Sequence, residues 1–293
     1  MKIIFLIFCS FLSSVSPDPQ SYNAIFSFGD SLADTGNFLL SGALAFPVIG
    51  KLPYGETFFK HATGRCSNGR LIVDFFDCRV YFRKSLFIVG EIGGNDYNYP
   101  YFVGGSIKQL KALVPAVVET IIEATSVLID EGAVELIVPG NLPIGCSALY
   151  LTLFGTTNKA AYDNNGCLKA YNAFSKYHNS QLKLSLEKLR EEYPHAKIIY
   201  ADYYGAAKRL FHAPKHHGFS NTLVACCGGG GPYNFNNSAR CGHIGSKACL
   251  DSSKFANWDG IHLTEAAYHH IAKGLLNGPF TSPPLTFSPI KQI

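Results

Sequence analysis

Charged residues, basic clusters and long apolar segments are scarce in this sequence. Only 16% of the residues are charged, and the net charge is a mild +4. The Lys and Arg residues are scattered, whereas a nucleic-acid-binding surface needs them clustered along the phosphate backbone, so no nucleic-acid partner is expected. Beyond the N-terminal residues, no segment is expected to be long and apolar enough to span a bilayer, so stable membrane insertion is not predicted either.

Familiar catalytic and metal-binding motifs are also missing. The chain contains no G-x-S-x-G sequence, which argues against the nucleophile elbow of the α/β-hydrolase arrangement. A zinc site is the alternative interpretation of one cluster, which consists of Cys226, Cys227, Cys241, His243 and Cys249. Because paired C-x-x-C knuckles are absent there, disulfides are the favoured interpretation, and no metal or other cofactor is expected.

The N terminus has the pattern of a secretory signal. In Met1–Ser16, Lys2 supplies the positive start, Ile3–Leu12 is apolar, and small residues follow. A membrane anchor or a buried first helix are the alternatives. We therefore predict a secreted protein in which residues 17–293 form one domain, because the hydrophobic fraction of 47% can supply a substantial core.

Export also determines how the cysteines are interpreted. Cys9 would leave with the signal, so eight of the nine cysteines would remain, and this number predicts disulfides in an oxidising compartment. The sequon Asn236-Asn237-Ser238 lies in a stretch rich in Gly, Asn and Pro that suits an exposed loop. Asn236 is therefore the predicted glycosylation site.

Four short apolar runs end in Gly, Asp or Asn, as strands do where an open α/β sheet presents its reactive groups. They are Ala24–Phe28, Ser85–Ile92, Val134–Pro139 and Lys197–Ala201. Helical patterns separate or follow them at Ile107–Ile129, Tyr171–Tyr193 and Thr264–Leu276. Pro115 is expected to kink or break the first of these helices. The alternation predicts a mostly parallel sheet with helices on both faces.

Three separated blocks carry the chemistry. They read FGDSLADTGN at Phe28–Asn37, GEIGGNDY at Gly90–Tyr97 and WDGIHLTEAA at Trp258–Ala267. Together they offer a serine, an asparagine, and an aspartate with a histidine, which are the groups that a serine acyl-hydrolase requires. The oligomeric state is not determined by any of these patterns.

Ser31 is the predicted nucleophile, because it lies on a glycine-flanked turn at the end of a strand. The helix expected to follow could direct backbone N–H groups at a negative oxygen. The alternative is that Ser31 only caps that helix.

Asp259 and His262 lie three residues apart, which lets the carboxylate hold one imidazole nitrogen while the other acts as general base. The alternative is an Asx turn at Asp259 with an incidental histidine. Asn95 follows the Ser85–Ile92 run, and its side-chain amide could reach the same crevice. Its alternative is a turn asparagine with an unusual backbone angle.

The chain resembles the plant GDSL esterase/lipases, which belong to the SGNH hydrolases. The resemblance extends over nearly the whole mature chain and includes LIVPGNLPIGC at Leu136–Cys146 and FANWDGIHLTEAAY at Phe255–Tyr268. It implies a flavodoxin-like, three-layer α/β/α fold and hydrolysis of small-molecule acyl esters. It also implies that Ser31 is the nucleophile, His262 the base and Asp259 its partner, with Asn95 as an oxyanion donor beside the Ser31 N–H.

One block of the family has no counterpart here. In the family, a strand between the serine and asparagine blocks ends in a glycine whose N–H is another oxyanion donor. In this chain, SNGRLIVDFF at Ser67–Phe76 passes almost directly into DCRVYFRKSLFIVGEI at Asp77–Ile92. We therefore predict an internal deletion near residues 75–78, the loss of one edge strand, an odd thiol at Cys78 and reduced activity. The alternatives to a secreted esterase are a non-catalytic secreted glycoprotein of the same fold and an acyltransferase that uses the same site.

Overall fold

The computed structural model describes residues 24–41, 47–75 and 85–285. The predicted signal at residues 1–16, the thiol of Cys78 and the join near residues 75–78 lie wholly or largely outside these ranges. Within them the chain forms a five-stranded sheet and a separate two-stranded antiparallel sheet. The larger sheet contains β1 (Ala24–Ser27), β2 (Ser85–Ile88), β3 (Glu135–Pro139), β4 (Lys197–Ala201) and β7 (Thr281–Ser282), and the smaller one pairs β5 (Cys227–Gly228) with β6 (Lys247–Ala248). The strand order in the larger sheet is β1-β2-β3-β4-β7.

The first four strands are parallel, and β7 joins β4 in the antiparallel direction. The four apolar runs of the sequence therefore form strands. Strands β1 and β2 end earlier than predicted, and β3 begins one residue later. The reactive groups follow the carboxyl ends of β1 and β2, which lie at one edge of the sheet because parallel strands all end on the same side.

Helices cover both faces of the sheet, so the predicted three-layer α/β/α fold is confirmed. The α-helices are α1 (Asn37–Leu40), α2 (Gly94–Phe102), α3 (Ile107–Asp130), α4 (Ala148–Phe154), α5 (Lys169–Glu192), α6 (Tyr203–His212) and α7 (Glu265–Asn277). Short 3₁₀ helices are Pro47–Gly50, Ile72–Phe75, Ile144–Cys146, Lys159–Ala161, Pro214–His217 and Ser252–Lys254. One layer contains α3 packed on α5, and the other contains α6 packed on α7.

The central strand β3 shows why the sequence folds into layers. All five of its residues are buried. Leu136 and Val138 belong to the core on the α3 and α5 side, whereas Ile137 belongs to the core on the α6 and α7 side. Because successive side chains of a strand point to opposite faces, a continuous apolar run is needed where both faces are covered.

Helix α3 differs from its prediction in two respects. It continues from Ile107 to Asp130 through Pro115, so of the predicted kink or break, the break does not occur. It is also long enough, and with a mean hydropathy of 1.8 apolar enough, to cross a membrane, so the expectation that no such segment exists is wrong on these two criteria. Its inner residues, such as Leu110 and Val114, nevertheless pack in the protein core.

Among the described residues, six cysteines form disulfides, as the export argument predicts. The pairs are Cys146–Cys167, Cys226–Cys249 and Cys227–Cys241. The four cysteines of the possible zinc cluster are therefore bonded to one another in pairs. Within the same ranges, Cys66 is the cysteine that forms no disulfide, and it is buried.

Strand β1 lies at one end of the sheet, and within the described ranges no strand pairs with its outer side. Phe26 and Phe28 are 45% and 44% exposed, and the ring of Phe26 stacks on Phe87 with 4.9 Å between the centroids. Large exposed aromatic side chains on an edge strand are unusual, because such edges readily pair with other chains. This exposure agrees with a sheet that lacks one edge strand.

Candidate active site

Two glycines let the ends of β1 and β2 approach closely. Gly29 has φ +141°, and a Cβ atom there would lie 3.2 Å from the Cα atom of Gly90. Gly90 has φ +88°, and a Cβ atom there would lie 1.6 Å from the Phe28 carbonyl oxygen, which no side chain can tolerate. The Phe28 N–H donates to the Ile88 carbonyl at 2.7 Å and extends the ladder to this point. The glycines therefore hold the serine and asparagine blocks side by side.

Ser31 lies in a turn after β1, as predicted, but the helix expected to follow does not begin there. The Asp30 side chain accepts a hydrogen bond from the Leu32 N–H at 3.0 Å, and the Asp30 carbonyl accepts one from the Ala33 N–H at 3.0 Å. The helix that follows, α1, has only four residues, and its N-cap is Gly36. Ser31 is therefore not a helix cap.

The Asp259–His262 turn places both side chains in the interior. Gly260 has φ +107°, and a Cβ atom there would lie 2.4 Å from the ring of Phe235, so this position requires glycine. Asp259 Oδ1 accepts the backbone N–H groups of Ile261 at 3.1 Å and His262 at 2.9 Å. The Asx turn that was the alternative interpretation thus exists, and it orients the carboxylate toward the imidazole. Thr264, two residues further on, caps α7.

The structure brings Ser31, His262 and Asp259 into one hydrogen-bonded line. His262 Nε2 lies 2.9 Å from Ser31 Oγ, and His262 Nδ1 lies 2.7 Å from Asp259 Oδ2. Asp259 and His262 are 8% and 6% exposed, so water competes little for these bonds. In this order, a neutral imidazole can accept the hydroxyl proton while the carboxylate stabilises the imidazolium that forms.

Asn95 lies in the first turn of α2 and lines the same cavity as Ser31 and His262. Its Nδ2 atom donates to Asp30 Oδ2 at 3.2 Å, which holds the amide beside the serine block. An amide nitrogen carries two hydrogens, so this contact leaves a second N–H for an anionic oxygen.

A cavity of about 70 Å³ adjoins these groups. Its wall is mostly apolar and includes Leu142, Ile144, Ala207, Phe211 and Ile261. A concave apolar site with a few convergent polar groups is the usual form of a small-molecule binding site.

The electrostatic environment gives His262 an unusual basicity. Burial by itself lowers the pKa of His262, but the charge of Asp259, with contributions from Cys66, raises this pKa well above its ordinary value of 6.5. Burial raises the pKa of Asp259, but the charge and hydrogen bonds of His262 lower it to about 2. Asp259 is therefore ionised at neutral pH, and it stabilises the protonated imidazole.

Glu91 is a functional-site residue that the sequence arguments missed. Its carboxyl group is 4% exposed, lines the cavity and accepts a hydrogen bond from Asn141 Nδ2. Burial, together with the nearby charges of Asp30 and Asp96, raises the pKa of Glu91 well above 4.5. The sequence did contain one signal for it, because Glu91 is a charged residue inside the otherwise apolar run that ends in VGEI at Val89–Ile92.

The raised pKa of Glu91 predicts a pH-dependent loss of stability. An unfolded chain ionises this carboxyl near pH 4.5, whereas the folded chain keeps it protonated, so stability falls as pH rises from 4.5 through the folded-state pKa. Glu91→Gln keeps an acceptor for Asn141 and cannot ionise. We expect it to raise the thermal midpoint by about 2 °C or more at pH 8 and to give no gain at pH 4. Thermal melts at both pH values measure this.

The matched control for that measurement is Glu119→Gln, since Glu119 is exposed on α3. Its thermal midpoint should follow that of the unaltered chain at both pH values. An equal change for both variants, or a gain for Glu91→Gln that is the same at pH 4 and pH 8, would contradict the argument from burial.

Tyr54 is the second residue that the sequence arguments missed. Its hydroxyl donates to Asp259 Oδ2 at 2.8 Å, although 205 positions separate the two residues. Tyr54 lies in an irregular segment outside the three blocks, and no local pattern marked it.

Comparisons with known proteins indicate the family of this chain. Residues 79–275 match the family described as GDSL-like Lipase/Acylhydrolase, a range that contains Asn95, Asp259 and His262 but not Ser31. A GDSL esterase/lipase of Arabidopsis thaliana is 44% identical, with 97% of this chain and 99% of the relative covered. A second one from A. thaliana is 40% identical, with 99% and 93% covered. The protein named sinapine esterase of Brassica napus is 39% identical, with 94% and 91% covered.

The alignment with the first relative is longer than this chain. The alignment with the first A. thaliana relative has 367 positions, whereas this chain has only 293 residues. At least 74 of those positions are therefore occupied in the relative and empty in this chain.

Proposed function

Because the chain belongs to the plant GDSL esterase/lipase family, we propose that it hydrolyses acyl esters of small molecules with Ser31, His262 and Asp259 as its catalytic groups. Membership makes the chain a carboxylic ester hydrolase by reaction class. The observation that carries the proposal is the hydrogen-bonded line from Ser31 Oγ through His262 to Asp259, with distances of 2.9 and 2.7 Å.

The proposed acylation step begins when Ser31 Oγ attacks the ester carbonyl carbon. His262 Nε2 takes the hydroxyl proton, and Asp259 stabilises the imidazolium. When the tetrahedral intermediate collapses, the bond to the alcohol oxygen breaks, and His262 returns the proton to that oxygen. An alcohol leaves, and the acyl group remains on Ser31.

Deacylation repeats these roles with water. His262 removes a proton from water, the hydroxide attacks the acyl carbon, and the proton passes back to Ser31 Oγ as the carboxylic acid leaves. Each intermediate places negative charge on the former carbonyl oxygen. The free N–H of the Asn95 amide and the backbone N–H of Ser31 are the proposed donors to it.

We further propose that this chain turns over esters more slowly than its full-length relatives. A deletion near residues 75–78 would remove the strand whose terminal glycine supplies a third oxyanion donor. The alignment positions without a counterpart and the exposed outer face of β1 support this proposal. Loss of one such donor costs about 10²–10³-fold in turnover.

We also propose that the protein is secreted. The pattern of residues 1–16 predicts a signal, and the three disulfides suit an oxidising compartment. Asn236 is exposed, and its Oδ1 atom accepts the Ser238 N–H at 2.9 Å in a local turn. The sequon is therefore accessible to a glycosyltransferase.

The direct test uses purified chain with a fluorophosphonate probe and p-nitrophenyl acetate. Probe labelling and slow release of p-nitrophenol are the expected results. A folded chain that neither reacts with the probe nor releases product would contradict the proposal and leave the non-catalytic glycoprotein as the alternative. Adding an alcohol acceptor separates hydrolysis from acyl transfer, because a transferase would form a new ester in preference to acetate.

The raised pKa of His262 predicts the pH dependence of this activity. Only the neutral imidazole can accept the Ser31 proton, so kcat/KM should rise with pH through the pKa of His262 in the free enzyme. The midpoint of this rise, which is the acid limb of the pH profile, is expected above pH 6.5. A pH profile of p-nitrophenyl acetate hydrolysis measures it, and a midpoint below 6.5 would mean that Asp259 does not outweigh burial.

A further inference from the structure

The carboxylate of Asp259 accepts four hydrogen bonds. Oδ1 takes two backbone N–H groups of its own turn, while Oδ2 takes His262 Nδ1 at 2.7 Å and the Tyr54 hydroxyl at 2.8 Å. A carboxylate has about four lone-pair sites, so this set is complete. Within the described residues, Tyr54 is the donor that comes from outside the Asp259–His262 turn.

Tyr54 is held firmly in this contact. Its side chain is 1% exposed, and its ring meets that of Trp258 edge-on, with the centroids 6.0 Å apart. Burial raises the pKa of Tyr54 well above 10, and the charge of Asp259 raises it further. The hydroxyl therefore keeps its proton, and toward a carboxylate it acts only as a donor.

The segment that carries Tyr54 is anchored beside the site. Thr57 Oγ1 donates to Glu265 in the first turn of α7 at 3.1 Å, and Arg70 forms an ion pair with the same carboxylate at 2.9 Å. Tyr54 thus connects the residues before the predicted deletion to the turn that carries the histidine.

We propose that Tyr54 is a positioning residue of the hydrolase site, whose hydroxyl orients Asp259 Oδ2 toward His262 and limits how strongly the carboxylate holds a proton on the imidazole. This inference rests on the proposed function, since it assigns Tyr54 a part in the same triad. The physical reason is that each hydrogen bond donated to a carboxylate weakens the attraction between that carboxylate and any other donor, here the imidazolium of His262.

Removal of this hydroxyl has two expected consequences. The carboxylate loses one of the bonds that define its rotation, so the imidazole is aligned less well and kcat falls by about 10-fold. The charge of Asp259 then acts more fully on His262, so the acid limb of the pH profile moves to higher pH by about half a unit. KM should change by less than about 2-fold, because Tyr54 does not line the cavity.

Other titratable groups act on this pair, and none of them is substituted in a Tyr54 variant. They are Asp30 and Cys66, which face His262, and Tyr268, which faces Asp259; Cys66 also faces Tyr54. A shift of the pH profile in a Tyr54 variant therefore reports the missing hydroxyl, provided that the variant is folded.

The experiment compares Tyr54→Phe with Tyr97→Phe. Tyr97 is also 1% exposed, and its hydroxyl contacts His178 Nδ1 at 2.8 Å, away from the triad. Both substitutions remove the same buried atom. The measurements are thermal melts, kcat and KM for p-nitrophenyl acetate, the pH profile, and the downfield proton resonance of His262 Nδ1–H. Only Tyr54→Phe is expected to move the pH profile and the resonance.

A second variant covers the case in which Tyr54→Phe fails to fold. Incorporation of 3-fluorotyrosine at position 54 retains the packing and makes the phenol a stronger donor, so the acid limb should move to lower pH. The proposal is overturned if a folded variant at position 54 leaves both the profile and the resonance unchanged, or if Tyr97→Phe changes them equally. Failure of the proposed function is distinguishable: no hydrolysis or labelling would occur, while the resonance would still respond to Tyr54→Phe.

Discussion

Ser31→Ala is expected to abolish labelling by a fluorophosphonate probe and to reduce turnover of p-nitrophenyl acetate by about 10⁴-fold or more. The substitution removes the oxygen that lies 2.9 Å from His262 Nε2, so no acyl intermediate can form. The His262–Asp259 pair and its hydrogen bonds remain. The fold should therefore persist, with a thermal midpoint within about 2 °C of the unaltered chain.

The matched control for Ser31→Ala is Ser180→Ala. Ser180 is exposed on α5, and its hydroxyl donates only to the carbonyl of Tyr177 at 2.7 Å. Labelling and turnover should be unchanged in this variant. Labelling that survives in folded Ser31→Ala would place the reactive group elsewhere and remove the basis of the proposed mechanism.

Insertion of a segment at the proposed deletion is expected to raise kcat by about 10²–10³-fold. The variant receives, near residues 75–78, the corresponding stretch of the A. thaliana relative of 44% identity. The inserted strand would pair with β1 and bring a further backbone N–H to the oxyanion. It would also cover Phe26 and Phe28, so a higher thermal midpoint is expected.

Two controls make the restored variant interpretable. The same insertion combined with Ser31→Ala should show the higher midpoint without the activity, because covering an edge strand does not depend on the nucleophile. A restored chain that melts higher but hydrolyses no faster would mean that the missing glycine is not a limiting donor. In that case the proposed reduction in activity would have no support from the lost glycine.

Strand positions followed from the sequence because they depend on short-range patterns. The run Lys197–Ala201 forms β4 with the predicted bounds. It is a short, mostly apolar run that ends just before Asp202, and this local pattern is enough to predict a strand. The ends of helices were close but not identical, and α3 continued through Pro115 because packing against α5 outweighs one missing backbone hydrogen bond.

Contacts between distant segments could not be predicted in this way. The connectivity of the cysteines could not be predicted, and only the fold places Cys66 in the interior next to His262, with no disulfide to another described cysteine. Tyr54 meets Asp259 across 205 positions, and no pattern of neighbouring residues encodes such a contact. The protonation of Glu91 likewise depends on burial and on the approach of Asp30 and Asp96.

The amino-acid sequence by itself predicted the four parallel strands of the main sheet, three of the helices and the three residues of the proposed triad. The strands and helices follow from local periodicity, which acts over a few residues, whereas the triad was assigned from three short blocks and from the resemblance to a known family. The tertiary structure alone decided the distances between Ser31, His262 and Asp259, the fourth donor on the carboxylate, and the protonation of the buried acids. Those properties depend on which distant groups meet in a region from which water is excluded, where electrostatic interactions are strongest.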